Sequence, residues 1–156
     1  MTKKLVAFFS ASGVTAEKAK LLAAAANADL YEIKPAVPYT AADLKWTNPL
    51  ARCNRERLKG EKPALSDRNA DAESYDVLFV CFPIWYYTAP LIINAFLESC
   101  DLKGKTVVLF ATSGGSDMKR VVKTLTPSAP EAKLVQGLML NGDVDPDVLG
   151  AFSERF

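Results

Sequence analysis

The chain has no histidine. That removes the side chain most used as a general base near neutral pH, and the commonest metal ligand. Catalytic triads of the Ser-His-Asp or Cys-His kind are therefore excluded. The cysteines are few and odd in number, Cys53, Cys81 and Cys100, so neither a four-thiolate zinc site nor a disulfide framework can be assembled. An excess of one charge is also lacking, since 19 Lys+Arg against 18 Asp+Glu leave a net charge of +1. Nucleic-acid binders rest their affinity on a large basic surplus, so that class is set aside. Long apolar runs are missing too. Leu5 to Phe9 is too short for a signal-peptide core, and nothing approaches the roughly 20 residues that span a membrane. Unpaired cysteines suit a reducing compartment, so the expectation is a cytoplasmic protein with no membrane or nucleic-acid partner.

What is present suits a folded domain. The 156 residues are 49% hydrophobic and 24% charged, enough to bury a core without staples, and a single domain over residues 1–156 is expected. Apolar runs of strand length alternate with helix-period segments, the pattern of a parallel sheet covered on both faces. Strands are expected at Leu5 to Phe9, Leu30 to Ile33, Val77 to Phe82, Thr106 to Ala111 and Leu134 to Leu140. Helices are expected from Thr15 to Ala26, from Ala89 to Ser99 with Thr88 as cap, from Met118 to Leu125, and after the Asp145-Pro146 cap. The fold class is thus α/β, a doubly wound five-stranded parallel sheet in the order 2-1-3-4-5. Residues 35–75 interrupt the rhythm and read as an insertion between strands two and three, with short helices starting near Thr40 and near Asn48-Pro49. Between Lys45 and Lys62 the insertion has six basic and two acidic residues, net +4, read as a solvated helix face in preference to a docking surface for an acidic partner.

Three strand ends carry the chemistry. After the first come Ser10, Ala11, Ser12, Gly13, Val14 and Thr15: hydroxyls, a glycine and then a helix, whose opening amides carry the positive end of the dipole. That is a phosphate cradle built without lysine or arginine. It is neither a P-loop nor a Gly-x-Gly-x-x-Gly fingerprint. After the third strand come Pro83, Ile84, Trp85, Tyr86 and Tyr87, aromatics that cannot all enter the core and whose flat faces suit a conjugated ring. After the fourth come Thr112, Ser113, Gly114 and Gly115, a small-residue rim. In a 2-1-3-4-5 sheet these loops meet where the strand order reverses, the usual ligand crevice of such sheets. A ligand with a phosphate at one end and an aromatic ring at the other fits them, above all flavin mononucleotide (FMN).

At these loops the chain resembles the flavodoxin family. Ser10-Ala11-Ser12-Gly13-Val14-Thr15 is similar to its Thr/Ser-x-Thr/Ser-Gly-x-Thr phosphate loop, and Pro83-Ile84-Trp85-Tyr86 and Thr112-Ser113-Gly114-Gly115 resemble its two ring-flanking loops. The uninterrupted fifth strand resembles the short-chain branch. The resemblance implies noncovalently bound FMN, one-electron transfer, and redox partner proteins, a reductase and an electron acceptor; a monomer or weak dimer is expected. An NAD(P)H-dependent FMN, quinone or nitro reductase on the same fold is the alternative. Thr112 to Met118 contains no aromatic, so the stacking ring is expected to be Trp85 or Tyr86, leaving the other flavin face to Met118 or solvent. A receiver-type signalling module is excluded by Phe8-Phe9-Ser10 and Cys81-Phe82-Pro83, which lack its acidic residues.

Overall fold

The computed structural model describes residues 2–11, 13–67, 70–85, 88–112 and 118–156. Five parallel strands, β1 (Lys4–Phe8), β2 (Asp29–Glu32), β3 (Val77–Pro83), β4 (Thr106–Thr112) and β5 (Lys133–Met139), form one sheet in the order β2-β1-β3-β4-β5. The helices are α1 (Val14–Ala26), α2 (Arg52–Lys59), α3 (Leu91–Ser99), α4 (Lys119–Leu125) and α5 (Pro146–Ser153). This is the expected doubly wound α/β order.

The strands read as continuous apolar runs because both faces of the sheet are covered. Alternate residues of one strand enter different cores. Leu5, Ala7, Leu78, Val80, Phe82, Val107 and Leu109 pack with α3 and α4 residues such as Ile92, Phe96, Val121 and Leu125. Val6, Phe8, Phe79, Cys81, Val108 and Phe110 pack with Ala19 and Leu22 of α1 and Leu149 of α5. Burial in that second layer pushes the Cys81 thiol far above its ordinary pKa, so it serves as a small apolar residue. In β5 a Cβ added at Gly137 would lie 2.5 Å from the Leu109 carbonyl oxygen. Only glycine lets the strand approach β4 there, beside the register shift at Leu109 and Ala111.

Two helix starts differ from expectation. Among the described residues the insertion holds one α-helix beyond Thr40, not two. Thr40 and Asp43 do exchange their backbone N–H to side-chain bonds, at 2.9 and 3.2 Å, yet the turn stops there. Pro49 disfavours a helical Asn48, leaving too few residues to propagate a helix. Asn48 instead accepts from Leu50 N–H at 3.0 Å just before α2. Thr88 does not cap α3, which opens after Pro90 without a side-chain cap. The Thr88 hydroxyl bonds that of Thr124 at 2.5 Å. Asp145 caps α5 as expected, accepting from Asp147 N–H at 2.9 Å with Pro146 in the first turn. Among the described residues no helix is long and apolar enough to cross a membrane.

Candidate functional site

The three singled-out segments lie at the carboxyl ends of β1, β3 and β4, which are neighbours in the sheet. Ser12, Tyr86, Ser113, Gly114 and Gly115 lie outside the described residues; the others can be placed. The Ser10 hydroxyl accepts the Gly13 N–H at 3.0 Å, so it folds its own loop and retains its proton for a further acceptor. Gly13 has φ 95° and is the residue before α1. No atom would crowd a Cβ there, so glycine is required by backbone conformation and not by space. The first intrahelical bond runs from Glu17 N–H to the Gly13 carbonyl, which leaves the earlier amides of Val14, Thr15 and Ala16 outside the helical ladder.

Thr15 does more than line the loop. It is 2% exposed and its hydroxyl is bonded to that of Thr112 at 2.8 Å. The start of α1 is thereby tied to the end of β4. Two hydroxyls carry two protons and their mutual bond uses one, so the pair keeps one donor. Ile84 N–H donates to the Thr112 carbonyl at 2.9 Å, which ties in the segment after β3 as well. Thr112 is thus common to all three strand ends.

Trp85 is held from behind. Trp85 and Thr88 exchange both backbone bonds, at 2.8 and 3.1 Å. Its ring meets Phe9 edge-on at 5.7 Å and Tyr39 edge-on at 5.4 Å, the favoured T-shaped geometry. Tyr39 is itself clamped. Its hydroxyl donates to Glu56, and the Arg52 guanidinium lies 4.0 Å from its ring centre. Arg52 also bonds Glu56 at 3.0 Å and the Val37 carbonyl at 2.7 Å. Burial and the Glu56 hydrogen bond both raise the Tyr39 pKa well above the phenolic value, so Tyr39 is a neutral donor.

Sequence reasoning missed this brace. Arg52 had been read as part of a solvated face, but only 16% of its side chain is exposed. The signal available was the i, i+4 spacing of Arg52 and Glu56. Nothing in the spacing ties either to Tyr39. Lys34 was also missed: it lines a cavity of about 450 Å³ together with Ser10, Ala11 and Tyr39. Met118, expected as a cover for a flavin face, is 1% exposed and belongs to the α3/α4 core. Its position immediately before α4 directs it inward.

The flavodoxin family profile matches residues 3–156. The chain belongs to the flavodoxin family. Candidate flavoproteins of Bacteroides eggerthii and Bacteroides uniformis are 43% and 42% identical, with TM-scores of 0.92 and 0.90. The first alignment covers 99% of this chain and 98% of the other, the second 98% of each. A Lactobacillus acidophilus flavoprotein solved with FMN shares the fold at 19% identity, covering 89% of this chain and 93% of that one, TM-score 0.70. No curated protein matches this flavodoxin-family chain. Membership agrees with the cofactor expected from the loops, and the described part of the site fits it: a glycine-opened helix start beside free hydroxyl donors, and a braced indole one strand away.

Proposed function

We propose that this chain binds FMN and passes single electrons between protein partners, a reductase and an acceptor. The observation that carries the reading is the Thr15–Thr112 bond of 2.8 Å, which fixes the phosphate end and the ring end of the crevice relative to each other. The opening amides of α1, with the hydroxyls of Ser10 and Thr15, hold the phosphate. Trp85 offers the ring face, kept in place by Phe9 and Tyr39. Bound FMN supplies the redox chemistry. The protein's part is to orient it, to exclude water from one face, and to surround it with groups that do not titrate near neutral pH. The chain's lack of histidine supports that last point.

The test begins with purified protein, which should be yellow and should release FMN, and no FAD, on heating. Apoprotein should quench the fluorescence of added FMN. A colourless protein that leaves FMN fluorescence untouched refutes the reading. One observation bears on the reductase alternative: Met118 is buried, so it does not cover the second flavin face, where a reductase would seat its nicotinamide. Anaerobic mixing with NADH and NADPH separates the two. A carrier keeps its flavin band over minutes; rapid bleaching makes the chain a reductase.

A further inference from the structure

The outer surface of the insertion combines two unusual properties. Its large apolar side chains are the most exposed among the described residues: Leu50 and Leu58 at 78%, Trp46 at 72% and Val37 at 66%. Residues 45–62 also carry a net +4, which against the chain total of +1 leaves the remaining residues at −3; Arg52 bonds Glu56 and Lys62 bonds Glu98, so Lys45 and Arg55 are the charges this face offers. The two properties share one face. The Asn54 amide donates to the carbonyls of Trp46 and Asn48, at 2.9 and 2.7 Å, which fastens the Trp46–Leu50 segment against α2. On the helix Leu58 follows Asn54 by four residues and Arg55 by three, so all three share a side. Arg55 and Lys45 are exposed. Cys53 and Glu56, on the opposite side of α2, line a cavity of about 190 Å³ with Trp85 and Ala89. A molecule seated on the outer face therefore lies about one helix diameter, roughly 10 Å, from the loop that carries Trp85.

From this we infer that the Trp46–Leu50–Leu58 face, with Lys45 and Arg55, is the docking surface for an acidic one-electron partner protein. The inference rests on the carrier reading for the words "one-electron"; the surface itself does not. Charge selects the partner. A second copy meeting this face about a two-fold axis would set Arg55 and Lys45 against their like. A lipid-binding interfacial helix buries a continuous apolar face, and α2 offers Leu58 as its one strongly exposed apolar side chain. An acidic protein satisfies both properties at once, with its carboxylates at the rim and the apolar groups at the centre.

The experiment measures binding of holoprotein to a small acidic plant-type ferredoxin by surface plasmon resonance, with basic cytochrome c as comparator. The variants are R55E and the pair L50S/L58S, all at exposed positions, with circular dichroism and FMN content as folding controls. The expected result is ferredoxin binding that weakens about tenfold or more as salt rises from about 20 to about 200 mM. R55E should lose a similar factor at low salt, the serine pair should lose it at both salts, and cytochrome c should not bind. Undetectable ferredoxin binding, or equal binding by wild type and both variants, overturns the proposal. So does binding of wild type to phosphatidylserine vesicles that R55E abolishes, or a sedimenting dimer that L50S/L58S dissociates. Because binding is read without electron transfer, a failed carrier reading shows separately, as bleaching by NADH or NADPH.

Discussion

The bond between Thr15 and Thr112 can be tested by changing each hydroxyl to a methyl. Valine is nearly isosteric with threonine, and the sites are 2% and 7% exposed, so Thr15→Val and Thr112→Val leave packing intact and remove only the polar group. Each single change strands the surviving hydroxyl in a buried place. That costs about 1–3 kcal/mol, more than the net worth of the bond at about 0.5–1.5 kcal/mol. The double variant strands nothing, so its loss should be no greater than that of either single. The cycle should give a coupling energy of about 1–3 kcal/mol, at least the loss of one single variant. Urea unfolding of the apoprotein reads it directly. With a slope of about 2 kcal/mol per molar, a loss of 2 kcal/mol moves a single variant's midpoint by about 1 M. If the singles add within about 0.5 kcal/mol, the two hydroxyls are not bonded and the tie between the loops does not exist. The same variants divide framework from ligand contact. Thr15→Val should weaken FMN more than riboflavin if the pair's spare proton reaches the phosphate, and equally if the pair only braces the loops.

Other consequences are open to measurement. Trp85→Ala should lose about 1–3 kcal/mol of FMN binding, the scale of aromatic stacking on a base, with little change in the far-ultraviolet dichroism of the apoprotein; unaltered affinity gives the stacking role to Tyr86. Arg52→Ala strands a largely buried Glu56 carboxylate and uncovers Tyr39, so it should destabilise the fold by about 2–3 kcal/mol, near the lower figure for a buried pair, whereas a loss below about 1 kcal/mol, the value of an exposed pair, would show that Arg52 and Glu56 do not brace Tyr39. Glu98, which accepts from Lys62 at 2.9 Å and Ser128 at 2.7 Å, has a pKa lowered first by Lys62 and then by Ser128. Its contribution, under about 1 kcal/mol for so exposed a pair, is therefore present above the ordinary glutamate pKa and lost as pH falls through the lowered value. Glu98→Gln should be less stable than wild type at pH 7 and indistinguishable from it once the pH has fallen through that lowered pKa, by denaturant midpoints across an acid titration.

The sheet was legible because burial on both faces writes each central strand as an unbroken apolar word, and Val77 to Phe82 and Thr106 to Ala111 can be read in no other way. The crevice was legible for a related reason, since hydroxyl and glycine residues placed just after such strands have no core to enter. The support behind the crevice was not. Tyr39, Arg52 and Glu56 reach Trp85 across the strand order, through one i, i+4 pair and one ring contact, and composition read Arg52 as one more cation in a basic stretch. The insertion misled in the other direction too: Thr40 and Asp43 make the capping bonds of a helix that Pro49 does not allow to form.

The insertion joins β2 to β3, which are not neighbours, since β1 lies between them. The connection therefore passes over β1, its two ends clasped to each other by the antiparallel Pro35–Leu65 bridge, and lengthening or shortening the stretch between them leaves every strand pairing where it was. Doubling such a span costs about 0.6 kcal/mol in closure entropy, less than most single core substitutions. The sheet is thus almost indifferent to this segment, while the aromatic wall of the crevice depends on it through Tyr39 and α2. Relatives that trim the crossover can keep the whole fold and still lose the prop behind the tryptophan, so in this architecture the grip on the ring can drift in evolution while the framework stays constant.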